Sequence, residues 1–357
     1  MKSIFAVFLF VFSWIQTSAQ TDDYYILEGK IDKYPITLEI YKSNFPEEQT
    51  KSYVGNYYYH SQEIPITIYQ DNTKNSGEFI LNTWDDDDKK ETFSGTFSNG
   101  TYKGTWTKGK QKLAFELETF TDTRSIGIIH READRKVQLK TGENETAATS
   151  TYHFYLPKDT KLQKEFMQKV DKDYTDFESW TKMRFADFES GYRKDVQEMM
   201  KNSPEIPSFA MNYEFIETVY PYLNSENYLV MSHSVYEYTG GAHGMSAEAY
   251  FTYDKRNKKW LEIGDVLNLD KFEQINKVLD KAVRKEFNLP EGYKLNEVMD
   301  SPFIAESIAY SENFTLSKKG ITFHYGLYEL TPYVYGYFSQ FVSYEDLKPF
   351  LKKGFKY

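Results

Sequence analysis

The stretch "FSGTFSNGTYKGTW", residues 93–106, constrains the fold of this chain more than any other. Asn99-Gly100 is a favoured dipeptide for a two-residue type I′ turn, because both central residues of that turn need φ above zero. Counting outward from the turn pairs Phe97 with Tyr102, Gly95 with Gly104 and Phe93 with Trp106. Side chains alternate along a strand, so all six lie on one face, where aromatic rings flank a glycine pair and partly cover it. That is a packing device for a curved sheet. Residues 22–122 are therefore expected to be an all-β meander that closes into a small barrel or strongly curved sheet. The near copies "YPITLEIY" (34–41) and "IPITIYQ" (64–70) supply further strands and a weak internal repeat. The run "WDDDDKK" (84–90) lacks the alternating ligands, central Gly and distant Glu of a calcium loop, and is expected to be a solvated loop.

Residues 123–145 mix short apolar stretches with a polar, Thr- and Glu-rich segment, and are expected to connect the barrel to a second domain over 146–357. That domain opens on the alternating "TSTYHFYLPK". From Asp159 to Asn202 there is no proline and a single glycine, Gly191. Phe166, Val170, Phe177, Trp180, Phe185, Phe188 and Val196 recur there at spacings that one or two amphipathic helices would bury. Strand-like runs follow at 209–223, 228–238 and 245–254. The segment 269–287 reads as a helix, with Asp270 and Glu273 in a capping-box pattern. Its expected buried stripe is Phe272, Ile275, Leu279, Ala282 and Phe287. Two or three more strands and a short helix capped by Ser343 with Asp346 end the chain. Strands and helices without a repeating strand–helix rhythm argue for an α+β domain with an antiparallel sheet.

The first twenty residues, "MKSIFAVFLFVFSWIQTSAQ", have the anatomy of a bacterial secretory signal peptide: Lys2, an apolar run from Ile4 to Ile15, and small residues up to Ala19. The run is too short to span a bilayer, which takes roughly 20 apolar residues, and no later segment is a candidate. The expected location is outside the inner membrane, periplasmic or secreted. The chain has no cysteine, which excludes disulfides, thiolate zinc sites and cysteine nucleophiles. Its net charge of −10 argues against a nucleic acid or an anionic membrane surface as partner and favours a basic one.

Two clusters carry the candidate function. In "YTGGAHG", residues 238–244, His243 sits in a glycine-rich loop between two aromatic, alternating runs. The loop feeds a strand and lacks GxxxxGK[ST], so it is not built like a phosphate cradle. His233 and Glu237 stand four apart, but in a strand that separates them by ~13 Å, too far for one zinc ion. No metal or cofactor is expected, although a site assembled by the fold from the six histidines at 60, 130, 153, 233, 243 and 324 stays open. There is no G-x-S-x-G nucleophile elbow. Gly240, Gly241 and Gly244 permit positive φ, so the loop can turn sharply and present Tyr238 and His243 to a partner. The second cluster, "FHYGLYELTPYVYGYF" (323–338), offers Tyr325, Tyr328, Glu329, Tyr333, Tyr335 and Tyr337.

With "KKWLEIGDVL" between them and "VSYEDLKPFL" after, these clusters make residues 150–357 resemble a known family. It is the extracellular domain of the anti-sigma factor RsiV, which also precedes the catalytic domain of the peptidoglycan deacetylase PdaC. The resemblance implies an α+β domain outside the cell membrane with no agreed catalytic set, which serves as a lysozyme receptor in the anti-sigma factor. This chain departs from both architectures, with no sigma-binding segment, membrane helix or deacetylase motif. The expected role is therefore binding, without catalysis, of a lysozyme-type muramidase or a peptidoglycan-related glycan. The alternative is an envelope hydrolase that pairs His243 with Glu237 or Glu248. A third reading gives the barrel a ligand of its own.

Overall fold

The structure, a computed structural model, describes residues 23–43, 52–71, 77–84, 89–120, 124–141, 144–203 and 207–357. The first twenty residues, expected as a signal peptide, and the acidic run 85–88 lie outside the described residues.

Eight antiparallel strands form a closed barrel in sequence order: β1 (Tyr24–Ile31), β2 (Tyr34–Ser43), β3 (Ser52–Tyr59), β4 (Ile66–Gln70), β5 (Phe79–Thr83), β6 (Glu91–Ser98), β7 (Thr101–Lys108) and β8 (Gln111–Thr119). The β6–β7 hairpin has the register counted from its turn, with Phe97 opposite Tyr102, Gly95 opposite Gly104 and Phe93 opposite Trp106. Asn99 and Gly100 both take positive φ, as a type I′ turn requires. The glycine pair is steric in origin. A Cβ on Gly95 would lie 2.1 Å from the Lys103 carbonyl oxygen, and one on Gly104 2.1 Å from that of Ser94. Leu27, Leu38, Tyr57, Phe93, Tyr102 and Phe115 are among the side chains that fill the barrel. The buried carboxylate of Glu91 joins them, accepting hydrogen bonds from Tyr57 Oη, Trp106 Nε1 (3.1 Å) and Lys108 Nζ (2.7 Å). A barrel packed in this way is filled by side chains like a core.

A six-stranded mixed sheet follows. Its strands are β9 (Ile128–Thr141), β10 (Asn144–Pro157), β11 (Tyr213–Asn224), β12 (Tyr228–Tyr238), β13 (Met245–Asp254) and β14 (Lys259–Leu261), in spatial order β14-β13-β12-β11-β10-β9. Only β10 and β11 run parallel. They are joined by α1 (Thr160–Val170) and α2 (Phe177–Asn202), which start at the caps Asp159 and Asp176. The two helices cover one face, where Phe166 and Trp180 pack with Phe154, Leu229 and Met231. The alternate residues Tyr228 and Val230 point to the other face. There they meet α3 (Ile263–Val266), α4 (Phe272–Phe287), the three-stranded sheet β15 (Phe314–Leu316), β16 (Gly320–Tyr325) and β17 (Phe338–Ser343), and α5 (Tyr344–Leu347). The whole is α+β.

The sequence reading needs correction in three places. Residues 123–145, expected as a connection, hold strand β9 for most of their length; it pairs with β10 throughout from Ile128 opposite Pro157 to Thr141 opposite Asn144. On this edge strand Arg131 and Arg135 interrupt the line of Ile129, Ala133, Val137 and Leu139 and hide the alternation that marks a half-buried strand. The buried stripe of α4 is Ile275, Leu279 and Val283, with Ala282 partly buried; Phe272 is half exposed, and Phe287 lies at the core's rim with its ring against Phe303 and Phe338. The chain enters α4 through a 3₁₀ turn in which the Asn268 side chain accepts from the Asp270 N–H, so no Asp270–Glu273 box forms. The Ser343–Asp346 cap is present as expected.

The barrel is seated on the sheet through Tyr24, Ile26 and Tyr41, which pack with Ile128 and Tyr155. Tyr155 donates to the Lys42 carbonyl (2.8 Å) and Asn56 Nδ2 to that of Tyr222 (3.2 Å). No helix among the described residues is long and apolar enough to cross a membrane.

Candidate functional site

Strands β12 and β13 form a hairpin whose last pair is Glu237 with Met245, and the glycine loop closes it. Gly240 and Gly241 take φ of +92° and +97°, in the left-handed region glycine favours. Gly244 is needed for a different reason: a Cβ there would lie 2.5 Å from the ring of Tyr236. Tyr238 braces the loop by donating to the Gly241 carbonyl at 3.1 Å.

His243 is exposed, and its ring stacks on Tyr333 with centroids 4.3 Å apart and planes at 26°. Its Nδ1 donates to the Gly244 carbonyl at 2.9 Å, and that oxygen also accepts from Tyr333 Oη at 3.2 Å. The two clusters singled out in the sequence are thus one surface. Tyr333 opens a 3₁₀ turn, Tyr333–Tyr335, set between Pro332 and a positive-φ Gly336. Tyr328 sits 5.6 Å from Tyr333, with a φ of +61°. The Glu329 carboxylate accepts from the Gly326 N–H at 2.8 Å, which fixes this bend. Tyr337 reaches Ser246 on β13. The turn's apex is strongly exposed, Val334 at 83 % and Tyr335 at 60 %. Tyr328, Tyr337 and Met245 extend the apolar exposure around it. Tyr325, by contrast, is 3 % exposed, and its hydroxyl is spent on the Ala309 carbonyl at 2.6 Å, so the structure places it in the core rather than on this surface.

Among the described residues, His243 makes no hydrogen bond or ion pair with Glu237 or Glu248. Glu248 accepts instead from Ser232 (2.7 Å), Tyr220 (2.9 Å) and Ser234 (3.1 Å). His233 is committed to the buried Glu217 at 2.6 Å, which also holds Arg184 at 3.1 Å. Burial pushes His324 down to about 3, and it lies sandwiched between Thr315 and Ser339 hydroxyls. A cleft of about 210 Å³ between α2 and β11 is lined by Tyr152, Arg184, Asp195, Phe215 and Glu237, and Thr239 of the glycine loop borders it.

Sequence reasoning missed one constellation. His130 and Glu132 on β9 and His153 on β10 each place a ligating atom within 4.8 Å of the other two. The H-x-E spacing of 130–132 and the alternation around His153 were visible, but the register that brings them together was not.

Residues 143–246 match the family described as deacetylase PdaC, and residues 264–345 match a protein family of unknown function, DUF3298. A crystal structure of a DUF3298 family member from Bacteroides fragilis NCTC 9343 superposes with a TM-score of 0.53 at 22 % identity, covering 64 % of this chain and 95 % of that one. That likeness speaks for the fold alone. A DUF3298 family protein from Pseudomonas aeruginosa PAO1 is 14 % identical over 64 % of this chain and 96 % of its own, with a TM-score of 0.43. No curated protein matches the chain. The glycine loop ends the first matched segment and the tyrosine segment lies in the second, so the aromatic surface is assembled from both. The C-terminal half of this chain is thus similar to a PdaC domain followed by a DUF3298 domain.

Proposed function

We propose that this chain is an exported binding protein of the cell envelope, which holds a lysozyme-type muramidase through the aromatic surface around Tyr333. In this reading the first twenty residues direct export. Residues 22–122 form a barrel domain, 123–145 lead out of it through the edge strand β9, and 146–357 form the binding domain. The observation that carries the reading is the stacked His243–Tyr333 pair beneath an exposed crest of Val334 and Tyr335. Large exposed apolar residues grouped on a rigid support mark interaction surfaces, and tyrosine is enriched where partners are anchored. The net charge of −10 favours encounter with a basic protein, as muramidases of this type commonly are. The protruding rings favour a second reading, in which Tyr335 and Tyr328 stack on the sugars of a peptidoglycan-related glycan.

The purified chain is mixed separately with a lysozyme-type muramidase and with peptidoglycan at moderate salt. Binding of the muramidase, weakened about tenfold or more in Tyr335→Ala, is expected. Sedimentation with peptidoglycan alone selects the second reading, and association with neither sinks both. If His243→Ala instead abolishes hydrolysis of an envelope substrate while the fold stays intact, the chain is a hydrolase.

A further inference from the structure

His130, Glu132 and His153 belong to the edge hairpin β9–β10, beside the barrel. His153 pairs directly with Glu132, and Tyr155 with His130. His130 and Glu132 are two apart on one strand, so both project to the same face as the two residues opposite them. This arrangement puts three ligating atoms within 4.8 Å of one another. Ligands around a tetrahedral ion with bonds near 2 Å stand roughly 3.3 Å apart, a contraction that side-chain rotation supplies.

The immediate surroundings suit a cation. The Tyr155 ring lies over His130 at 4.4 Å with planes 11° apart, which fixes the imidazole plane. Nδ1 of His130 faces Asp23 Oδ2 at 3.6 Å, and Asp23 is itself held by Lys42 at 2.9 Å. A carboxylate behind one ring nitrogen leaves the lone pair on the other, as at metal-bound histidines. That other atom, Nε2, is buried and has no hydrogen-bond partner among the described residues. Such an orphan is uncommon in a folded core. Glu132 is the open side, with its side chain 59 % exposed.

We propose that His130, Glu132 and His153 bind one divalent cation of the zinc type, with Asp23 orienting His130 from behind. Two imidazoles and one carboxylate suit zinc, and disfavour magnesium and calcium, which take all-oxygen shells. Three protein ligands leave a fourth position to solvent on the Glu132 side. Because Asp23 precedes the first barrel strand and His130 lies in the sheet, the ion would tie the two parts together.

The test uses the tag-free chain, stripped with a chelator and titrated calorimetrically with zinc chloride and, separately, magnesium chloride. One equivalent of zinc and no magnesium is expected, with a rise in Tm on loading. His153→Gln and Glu132→Gln should each abolish this binding, and Asp23→Asn should weaken it by about 10–100-fold. Glu132 is exposed enough that its variant keeps the fold, which an unchanged apo Tm and circular dichroism spectrum verify. Absence of zinc binding at micromolar concentration overturns the proposal. So does one equivalent bound equally well by wild type and both ligand variants, which would place the ion at other histidines.

Discussion

The carboxylate of Glu39 on β2 accepts the backbone N–H of Asn224 at the end of β11, with 2.8 Å between Oε1 and N. This bond crosses from barrel to sheet, alongside those of Tyr155 with Lys42 and Asn56 with Tyr222. The other carboxylate oxygen accepts from Tyr24 Oη at 2.9 Å, and Glu39 is almost fully buried. Burial dominates its electrostatics and pushes its carboxyl from 4.5 up to about 7, against the opposing pull of Asn224, Tyr24 and Lys255.

A glutamate that holds its proton more tightly folded than unfolded destabilises the fold once it ionises. Its contribution falls as pH rises from about 4.5 to about 7, by on the order of 3 kcal/mol. Lys255, pushed down to about 8 by burial, acts at higher pH, where stability is regained between about 8 and 10.5. Glu39→Gln keeps an acceptor and removes the charge. The difference in stability between Glu39→Gln and wild type, from urea unfolding, should therefore grow in favour of the variant between pH 4.5 and 8. A difference constant across that range would remove Glu39 as its source.

His324 has the opposite sign. It lies in β16 with Nε2 3.0 Å from Thr315 Oγ1, Nδ1 2.8 Å from Ser339 Oγ, and Tyr250 stacked 4.1 Å away. Burial alone pushes it down to about 3, against 6.5 for a free imidazole. Its contribution is fully present above pH 6.5 and is lost as pH falls towards 3, by up to about 5 kcal/mol. In the folded protein its C2 proton resonance should not titrate between pH 5 and 8. A midpoint near 6.5 at an assigned His324 would show that the ring is hydrated. Between about 4.5 and 6.5 the two residues pull in opposite directions, which is why Glu39 has to be read from a variant rather than from wild type alone.

What could be read in the sequence was what short-range chemistry decides. Asn99-Gly100 fixes a turn, the turn fixes a register, and the register placed Phe93, Gly95 and Tyr102 on the inward face. Strands β12 and β13 were legible end to end, because each alternates beside a polar or glycine-rich turn. Strand β9 was not, because Arg131 and Arg135 interrupt its helix-facing line of Ile129, Ala133, Val137 and Leu139. In α4 the aromatic ends Phe272 and Phe287 drew the eye, yet the buried line runs through Val283. The aromatic surface was half legible. Each cluster stood out by composition, but the contact of His243 with Tyr333, ninety residues on, is a product of tertiary packing. The His130, Glu132 and His153 group is likewise a matter of cross-strand register, which a one-residue slip would dissolve.

Glycine supplies a last test, because two glycines of this chain should respond to the same substitution with opposite sign. At Gly104 an alanine Cβ would meet the Ser94 carbonyl oxygen at 2.1 Å, inside a closed barrel whose strands cannot separate locally. Gly104→Ala should cost about 2–3 kcal/mol, at the upper end of overpacking effects. At Gly191, on the exposed side of α2, an added Cβ meets nothing within 4 Å. Gly191→Ala should stabilise by about 0.5–1 kcal/mol, since alanine loses less backbone entropy in a helix. Thermal unfolding of the two variants checks both at once. A neutral Gly104→Ala would mean that the β6–β7 pair can open to admit a methyl group, and the reading of the glycine pair as a steric necessity would fall with it.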